Sequence, residues 1–185
     1  MTTRQNQKTM PGQMETQTSS ILALDAGFRN TGYAVFERDQ PTVFGTITTS
    51  VDKKSKTKSI SRQNIESLQH IGGQLARLID LYAVELVVFE APHGGSQSAN
   101  AARAMAYATA VVVTVSCVLN VPCIQITPTQ VKKLIRPKGE VTKDEVMDYI
   151  RGYYSDVEFP KYKKYFEHIA DACGAYLVAR RSEKL

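Results

Sequence analysis

The sequence predicts an α/β fold in which a five-stranded mixed sheet is flanked by helices. Runs of apolar and β-branched residues of strand length occur five times, and helix-length segments with apolar residues three or four positions apart lie among and after them. The first three strands follow one another directly, whereas helices separate the later ones. This order is typical of a β-meander followed by crossover connections.

Each strand is predicted from its own pattern. Alternating or continuous apolar residues favour strands at 21–26, 32–38, 42–49, 85–90 and 122–127. Pro41 lies between the second and third strands and is interpreted as the turn between them. The fourth strand, "ELVVFE", is apolar up to Glu90 and is followed by Pro92.

The helices are predicted from the period of the apolar residues. The segment 60–82 has them at steps of three and four, which favours an amphipathic helix. The segment 99–119 is apolar nearly all round, so we expect the sheet and a second subunit to cover it on more than one side. Three further helices are expected at 128–135, 142–154 and 162–181.

The two ends of the chain differ in composition. Residues 1–19 are polar, rich in Thr and Gln and without apolar periodicity, which predicts a disordered tail and leaves 20–185 as one domain. The tail has no signal-peptide hydrophobic region. The apolar stretch 104–119 is shorter than the roughly 20 residues that span a bilayer and is predicted to be a buried helix. We expect an intracellular protein without a membrane partner, cytoplasmic if its source is bacterial or viral.

The charge and the cysteine content limit which partners and which kinds of site are expected. Lys and Arg number 23 against 18 Asp and Glu, and the net charge of +5 fits a polyanionic partner such as DNA. Cys117, Cys123 and Cys173 have no CxxC spacing, so a zinc site or a disulfide framework is not expected.

Acidic residues stand where apolar ones would be expected. Asp25 ends the first predicted strand, Glu90 ends the fourth, and "HIADACGAYLVAR" places His168 and Asp171 three residues apart on one helix face. Buried carboxylates repel one another unless a cation neutralises them, and oxygen ligands favour Mg²⁺ or Mn²⁺. Two such ions can support an in-line phosphoryl displacement. Taken singly, Asp25 could cap a turn, Glu90 could pair with a lysine, and His168 could be a satisfied residue at a helix start.

Four motifs in order resemble the RuvC family of Holliday-junction resolvases, within the ribonuclease H-like nuclease superfamily. They are "LALDAGFRNTGYAVFE", "LVVFEAP", "QITPTQVKKLI" followed by "EVTKDEVMDYI", and "HIADACGAYLVA". The resemblance extends from Ile21 to Arg180. It implies a ribonuclease H-like fold and a structure-selective DNA endonuclease that cuts four-way junctions by paired symmetric nicks.

The resemblance also implies roles for single residues. Asp25 would be shared between two Mg²⁺ or Mn²⁺ ions, and Glu90, His168 and Asp171 would complete their ligand shells. Lys132 and Lys143 would hold the scissile phosphate, with the adjacent Lys133 as the alternative to Lys132. A four-way junction has near two-fold symmetry, so a homodimer would supply the two active sites that paired nicks need.

Further residues are expected to contact DNA. Lys133, Arg136 and Lys138 form a basic cluster, and Gly94, Gly95 and Ser96 precede a helix N-terminus that could bind phosphate. His93 stands where bacterial members tend to carry an aromatic wedge, and a histidine stacks on a base more weakly. The segment 155–167 is longer than in typical bacterial relatives. Its lysines and aromatic residues favour either DNA contact or packing of the last helix.

Three alternatives remain open at this point. A debranching endonuclease for flaps, forks and junctions would use the same site, and His93 in the wedge position favours it. The motif "DAGFRNTGYA" is also similar to the phosphate loop of actin-like ATPases, but those need a second phosphate loop and a second domain. A non-catalytic junction-binding protein would not need all four ligand positions filled.

Overall fold

The sheet has five strands in the order β3-β2-β1-β4-β5. In this computed structural model residues 19–50, 58–91, 98–182 and 185 are described. The strands are β1 (Ser20–Asp25), β2 (Asn30–Glu37), β3 (Gln40–Thr48), β4 (Val84–Glu90) and β5 (Cys123–Ile126). Strand β1 pairs antiparallel with β2 and parallel with β4, and β4 pairs parallel with β5, so the predicted mixed sheet is confirmed.

In the described part of the chain, five helices cover the sheet. They are α1 (Ile60–Leu81), α2 (Ala99–Val118), α3 (Pro128–Ile135), α4 (Lys143–Tyr153) and α5 (Lys163–Arg181). Hydroxyl side chains cap the first four, and Thr127 and Thr142 form capping boxes with Gln130 and Glu145. These boxes fix where α3 and α4 begin, and so where their lysines stand.

The turn between β2 and β3 differs from the prediction. Arg38 and Asp39 have positive φ angles of 50° and 65° and form a two-residue hairpin turn. Pro41, expected in the turn, lies inside β3, where the register shifts opposite Phe36. A proline is tolerated there because β3 is an edge strand and the missing N–H costs no ladder bond. From α5, Tyr176 Oη donates to Asp39 at 2.5 Å and Arg180 pairs with the same carboxylate at 2.6 Å.

The two faces of the sheet carry separate cores. On one face α3, α4 and α5 pack over residues such as Ala23, Phe36 and Val88. On the other face α1 and α2 pack over residues such as Leu22 and Val87. Alternate residues of β1 and β4 therefore serve opposite cores, as the period of two in a strand requires.

Helix α2 is less covered than the sequence predicts. Its buried residues are Ala108, Val112 and Ser116, all on the side that packs within the chain. Val113 is 42% exposed and Val118 is 74% exposed. By length and composition α2 is long and apolar enough to cross a membrane, and 17% of its apolar window is buried. The expectation of a buried helix is therefore wrong within the single chain, and its cover by a second subunit stays a prediction.

The predicted division into tail and domain stays a prediction. Residues 1–18 of the predicted tail lie outside the described part of the chain. The family motifs and all five strands fall within 20–185, as the proposed domain requires.

Candidate active site

The first two acidic residues meet because their strands are adjacent and parallel. Asp25 is the last residue of β1 and Glu90 is the last residue of β4, and the two are register partners. The Ala26 amide donates to the Glu90 carbonyl at 3.0 Å, which continues the pairing one residue beyond the strands. Two neighbouring parallel strands thus end on carboxylates at the same edge of the sheet.

Helix α5 brings the other two predicted ligands to this edge. His168 Nδ1–H donates to Asp25 Oδ2 at 2.7 Å, and the two side chains are 23% and 18% exposed. Asp171 lies about one helical turn further along α5, and its charge is, after burial, the next largest cause that raises the pKa of Glu90. All four residues predicted from the sequence therefore lie together.

A glycine makes this approach possible. Gly32 of β2 is the register partner of Asp25, and a Cβ at its position would lie 2.1 Å from the carbonyl oxygen of His168. Real Cβ atoms do not come this close, so the helix could not pack here against any larger residue. The Thr-Gly pair after the first strand thus determines how near His168 comes to Asp25.

Burial and neighbouring carboxylates disfavour the charged forms of Glu90 and Asp171. Burial, followed by the charges of Asp171 and Asp25, raises the pKa of Glu90 to about 9. Burial, followed by the charge of Asp25, raises the pKa of Asp171 to about 7. Glu90 Oε2 is buried and has no hydrogen-bond partner among the described residues. A group of this kind is costly unless a cation or a proton satisfies it.

Two lysines stand beside the acids. Lys132 lies in the last turn of α3 and Lys143 is the first residue of α4. The charge of each lowers the pKa of both Glu90 and Asp171, against the larger effect of burial. The side chain of Lys143 is 67% exposed and forms an ion pair with Glu167, which directly precedes His168 on α5. The two lysines therefore lie at the rim of the site, on the side that faces solvent.

The other predicted DNA contacts are distributed differently. Lys133 and Lys138 are exposed. Arg136 is exposed too, but it pairs with Glu145 and donates to the Glu140 carbonyl at 3.0 Å, so it also ties α3 to α4. The predicted residues His93, Gly94, Gly95 and Ser96 lie outside the described part of the chain.

The donor set has the chemistry that a hard divalent cation needs, although the described side chains do not form a ready ligand set. Across residues 19–50, 58–91 and 98–182, no three His, Cys, Asp or Glu side chains form a ready ligand set for one metal ion. Three carboxylates and an imidazole are nevertheless present, and Glu90 Oε2 has no hydrogen-bond partner. Carboxylate oxygens are the ligands that Mg²⁺ and Mn²⁺ prefer, so a cation fits the chemistry of these residues.

Sequence reasoning missed three contributors. Gly32 provides the close approach, and a glycine inside a strand is the signal that indicates one. Glu167 holds Lys143, a contact with no sequence signature. Arg29 donates to Asn64 Oδ1 at 2.9 Å and to Ser67 Oγ at 3.2 Å, which ties the turn after Asp25 to α1.

Comparisons with known proteins agree with the geometry. A family model described as crossover junction endodeoxyribonuclease RuvC matches residues 21–174. The RuvC protein of Hydrogenovibrio crunogenus is 25% identical over 163 residues, 87% of this chain and 87% of that protein. The RuvC protein of Rhodopirellula baltica is 26% identical over 164 residues, 86% of this chain and 87% of that protein.

The fold is shared with a known structure of the same kind. Thermus thermophilus RuvC in complex with Holliday junction substrate superposes with a TM-score of 0.69 at 19% identity, over 90% of this chain and 95% of that chain. The expected ribonuclease H-like fold and the resemblance inferred from the four motifs are confirmed. The chain therefore belongs to the RuvC family of crossover junction endodeoxyribonucleases and is a metal-dependent nuclease.

Proposed function

We propose that this chain resolves four-way DNA junctions by paired symmetric nicks, with Asp25, Glu90, His168 and Asp171 holding two Mg²⁺ or Mn²⁺ ions at each site. The observation that carries the metal assignment is Glu90 Oε2, which is buried, without a hydrogen-bond partner in the described residues, and next to two further carboxylates. Family membership supports the reaction. The match of the fold to a junction-bound RuvC protein supports the substrate.

Bound divalent ions would supply an activated water and stabilise the leaving oxygen of the phosphodiester. The chain's own residues hold this chemistry in position. Asp25 is fixed at a strand end, and the Nδ1–H of His168 donates to it, which leaves the Nε2 lone pair of the imidazole available as a ligand. Glu90 is buried and Asp171 is half-buried, so water reaches these two carboxylates less readily than it reaches surface groups.

Lys132 and Lys143 are proposed to hold the scissile phosphate. They approach the acids closely enough to lower their pKa values, yet both side chains reach solvent, where a DNA strand would lie. A phosphate that binds Lys143 has to compete with Glu167 for it. Charge placed where negative charge develops in the transition state is among the largest contributions to catalysis.

The homodimer is proposed to form through the outer face of α2. This face includes Val113 and Val118, both exposed in the single chain, and the small residues Ala106 and Ala110. A two-fold interface of this kind presents the same patch on both subunits. It would give the outer face of α2 the cover that the chain alone does not provide.

A broader debranching activity on flaps and forks is the second candidate. One sequence observation favours it, the histidine at position 93 where bacterial members tend to carry an aromatic wedge. A weaker wedge would open a junction less well and would discriminate less between branched substrates.

Cleavage of a labelled synthetic four-way junction tests the proposal. A flap, a fork and plain duplex are assayed beside it, each with Mg²⁺, Mn²⁺ or chelator. We expect paired symmetric nicks in the junction and none in chelator. Cutting of every branched substrate would favour the debranching activity, and tight junction binding without any cut would favour a non-catalytic junction-binding protein.

A further inference from the structure

The segment 155–167, which leads into the first turns of α5, exposes two tyrosines beside the active site. Tyr162 is 78% exposed and Tyr165 is 52% exposed, whereas Phe159 and Phe166 of the same segment are buried. The sequence left open whether these rings contact DNA or pack the last helix. The structure assigns the packing to the two phenylalanines, whose rings lie 4.9 Å apart between centroids.

The exposed rings have no structural task in the described part of the chain. No ring contact or hydrogen bond joins Tyr162 or Tyr165 to another described side chain, and Tyr162 precedes α5 without capping it through its side chain. Large exposed rings with no packing role are typical of a surface that binds a partner.

The two tyrosines are continuous with the active site. Residues three apart are neighbours on a helix surface, so Tyr165 lies next to His168, and Tyr162 is the N-cap residue that directly precedes the helix. Both tyrosines are exposed, whereas His168 is only partly exposed. With a rise of about 1.5 Å per residue, the backbone of Tyr165 lies roughly 5 Å from that of His168 along the axis of α5, a distance on the order of one nucleotide of DNA strand.

The charge around the rings fits a nucleic acid. Lys161 and Lys164 flank them, are exposed, and have no ion-pair partner among the described residues. Lys163 pairs with Asp144 at 2.6 Å and so ties the segment to α4. Exposed aromatic rings between lysines are the arrangement that proteins use to stack unpaired bases.

We propose that Tyr162 and Tyr165 form a stacking platform for the unpaired nucleotides next to the scissile phosphate, with Lys161 and Lys164 on the adjoining phosphates. The proposal rests on the proposed junction nuclease activity and adds to it the element that holds the cut strand. This platform lies on the opposite face of the sheet from α2.

Fluorescence of 2-aminopurine tests the platform. The probe is placed at each of the three nucleotides on either side of the mapped cut in a four-way junction, and the wild-type protein is bound in chelator. We expect quenching at one or two positions, which Tyr162→Ala and Tyr165→Ala remove while weakening junction binding about fivefold or more. Tyr162→Phe and Tyr165→Phe keep the ring and should retain both quenching and affinity.

Two controls separate stacking from charge and from folding. Tyr153→Ala removes another exposed tyrosine, at the far end of α4 from Lys143, and should change neither readout. Lys164→Ala should lower the salt dependence of binding by about 0.7 in the log–log slope for a single strand, whereas the tyrosine variants should leave that slope unchanged.

The outcomes distinguish this proposal from the nuclease proposal. If the wild-type protein cuts junctions and both alanine variants bind, quench and cut as it does, the platform is refuted while the nuclease stands. If quenching survives without the rings, or disappears in the phenylalanine variants, stacking on these tyrosines is also refuted. If the wild-type protein makes no cut, the nuclease proposal fails on its own.

Discussion

Helices α2 and α5 are both long, and both pack on the sheet. Helix α2 is the more apolar of the two, but helix α5 is the more buried. Helix α2 carries a single charged residue, Arg103, and buries three residues. Helix α5 carries charged residues at both ends and buries eleven. The more apolar helix is therefore the more exposed one. An apolar composition indicates that a helix surface should be covered, but it does not show whether the same chain or a partner covers it.

The difference follows from what each helix has to do. Helix α5 is buried because it must bring His168 and Asp171 to the ends of β1 and β4, and small residues such as Gly174 allow it to pack closely. A Cβ on Gly174 would lie 2.6 Å from Val131 of α3. Helix α2 brings no ligand to the site and presents its outer face to a partner in the proposed dimer. Substitutions in the two regions should therefore fail in different ways.

The largest effect on cleavage is expected from Asp25→Asn, at the residue of β1 that contacts His168 of α5. The amide loses the charge that a shared cation needs, while its shape and its contact with His168 are nearly kept. Junction cleavage should be abolished and junction binding should survive, as measured by nicking and by gel shift on one substrate. Asp80→Asn, at an exposed position of α1, is the matched control and should cut normally. Equal loss of binding in Asp25→Asn would make Asp25 structural.

A slightly smaller effect is expected from Gly32→Ala. The new methyl group meets the backbone of His168, so α5 has to shift, at a cost of about 1–3 kcal/mol in the free energy of unfolding. A shift of about 1 Å in a catalytic group costs on the order of 100-fold in rate. Urea unfolding and single-turnover cleavage measure the two quantities.

The matched control for this prediction is Gly73→Ala in α1, where a Cβ meets nothing within 4 Å. It should raise the free energy of unfolding by about 0.8–1 kcal/mol and leave cleavage unchanged. Wild-type activity in Gly32→Ala would show that the close approach of α5 does not position His168.

The acidic cluster should also make stability depend on pH when no cation is present. The pKa of Glu90 is raised from 4.5 to about 9 and that of Asp171 from 3.8 to about 7. Between about pH 4 and pH 9 the folded chain therefore binds more protons than the unfolded chain, so its free energy of unfolding falls as pH rises. Urea unfolding in chelator from pH 5 to 9 should show this fall, and Mg²⁺ should reduce it.

Glu90→Gln serves as the control, because its amide is neutral throughout this range. The fall with pH should be smaller in this variant, and Mg²⁺ should stabilise it less than the wild-type protein. A slope that is the same in both proteins would show that Glu90 does not carry the pH dependence.

The sequence predicted where the strands and helices lie better than it predicted the contacts they make. Strand ends at Asp25 and Glu90 were predictable because apolar runs stop there, whereas the adjacency of β1 and β4 is known only from the structure. The turn at Arg38 and Asp39 was not predictable, because Pro41 is the stronger local turn signal. A strand tolerates this proline only because β3 lies at the edge of the sheet. Local patterns carry no information about which strand lies at an edge.

The candidate site divides in the same way. Ligand types and their order along the chain were readable, whereas the contact of Gly32 with His168 and the pairing of Glu167 with Lys143 are tertiary and have no spacing rule. Exposure was the least predictable property. The pattern of 155–167 did not say which of its rings are buried, and that of α2 did not say that its outer face is uncovered.

The smallest effect on the chemistry of a single site is expected from Val113→Asp on α2. Val113 is 42% exposed in the chain, so the aspartate costs the monomer little, within about 0.5 kcal/mol. In a two-fold interface the substitution occurs twice and buries two unpaired carboxylates, which should dissociate the dimer in sedimentation experiments. Each site would still nick, but the two nicks of one junction would become uncoupled. Tyr153→Asp, on the opposite side of the sheet, should leave the dimer intact, and a monomeric wild-type protein that makes paired nicks would refute the assignment of α2.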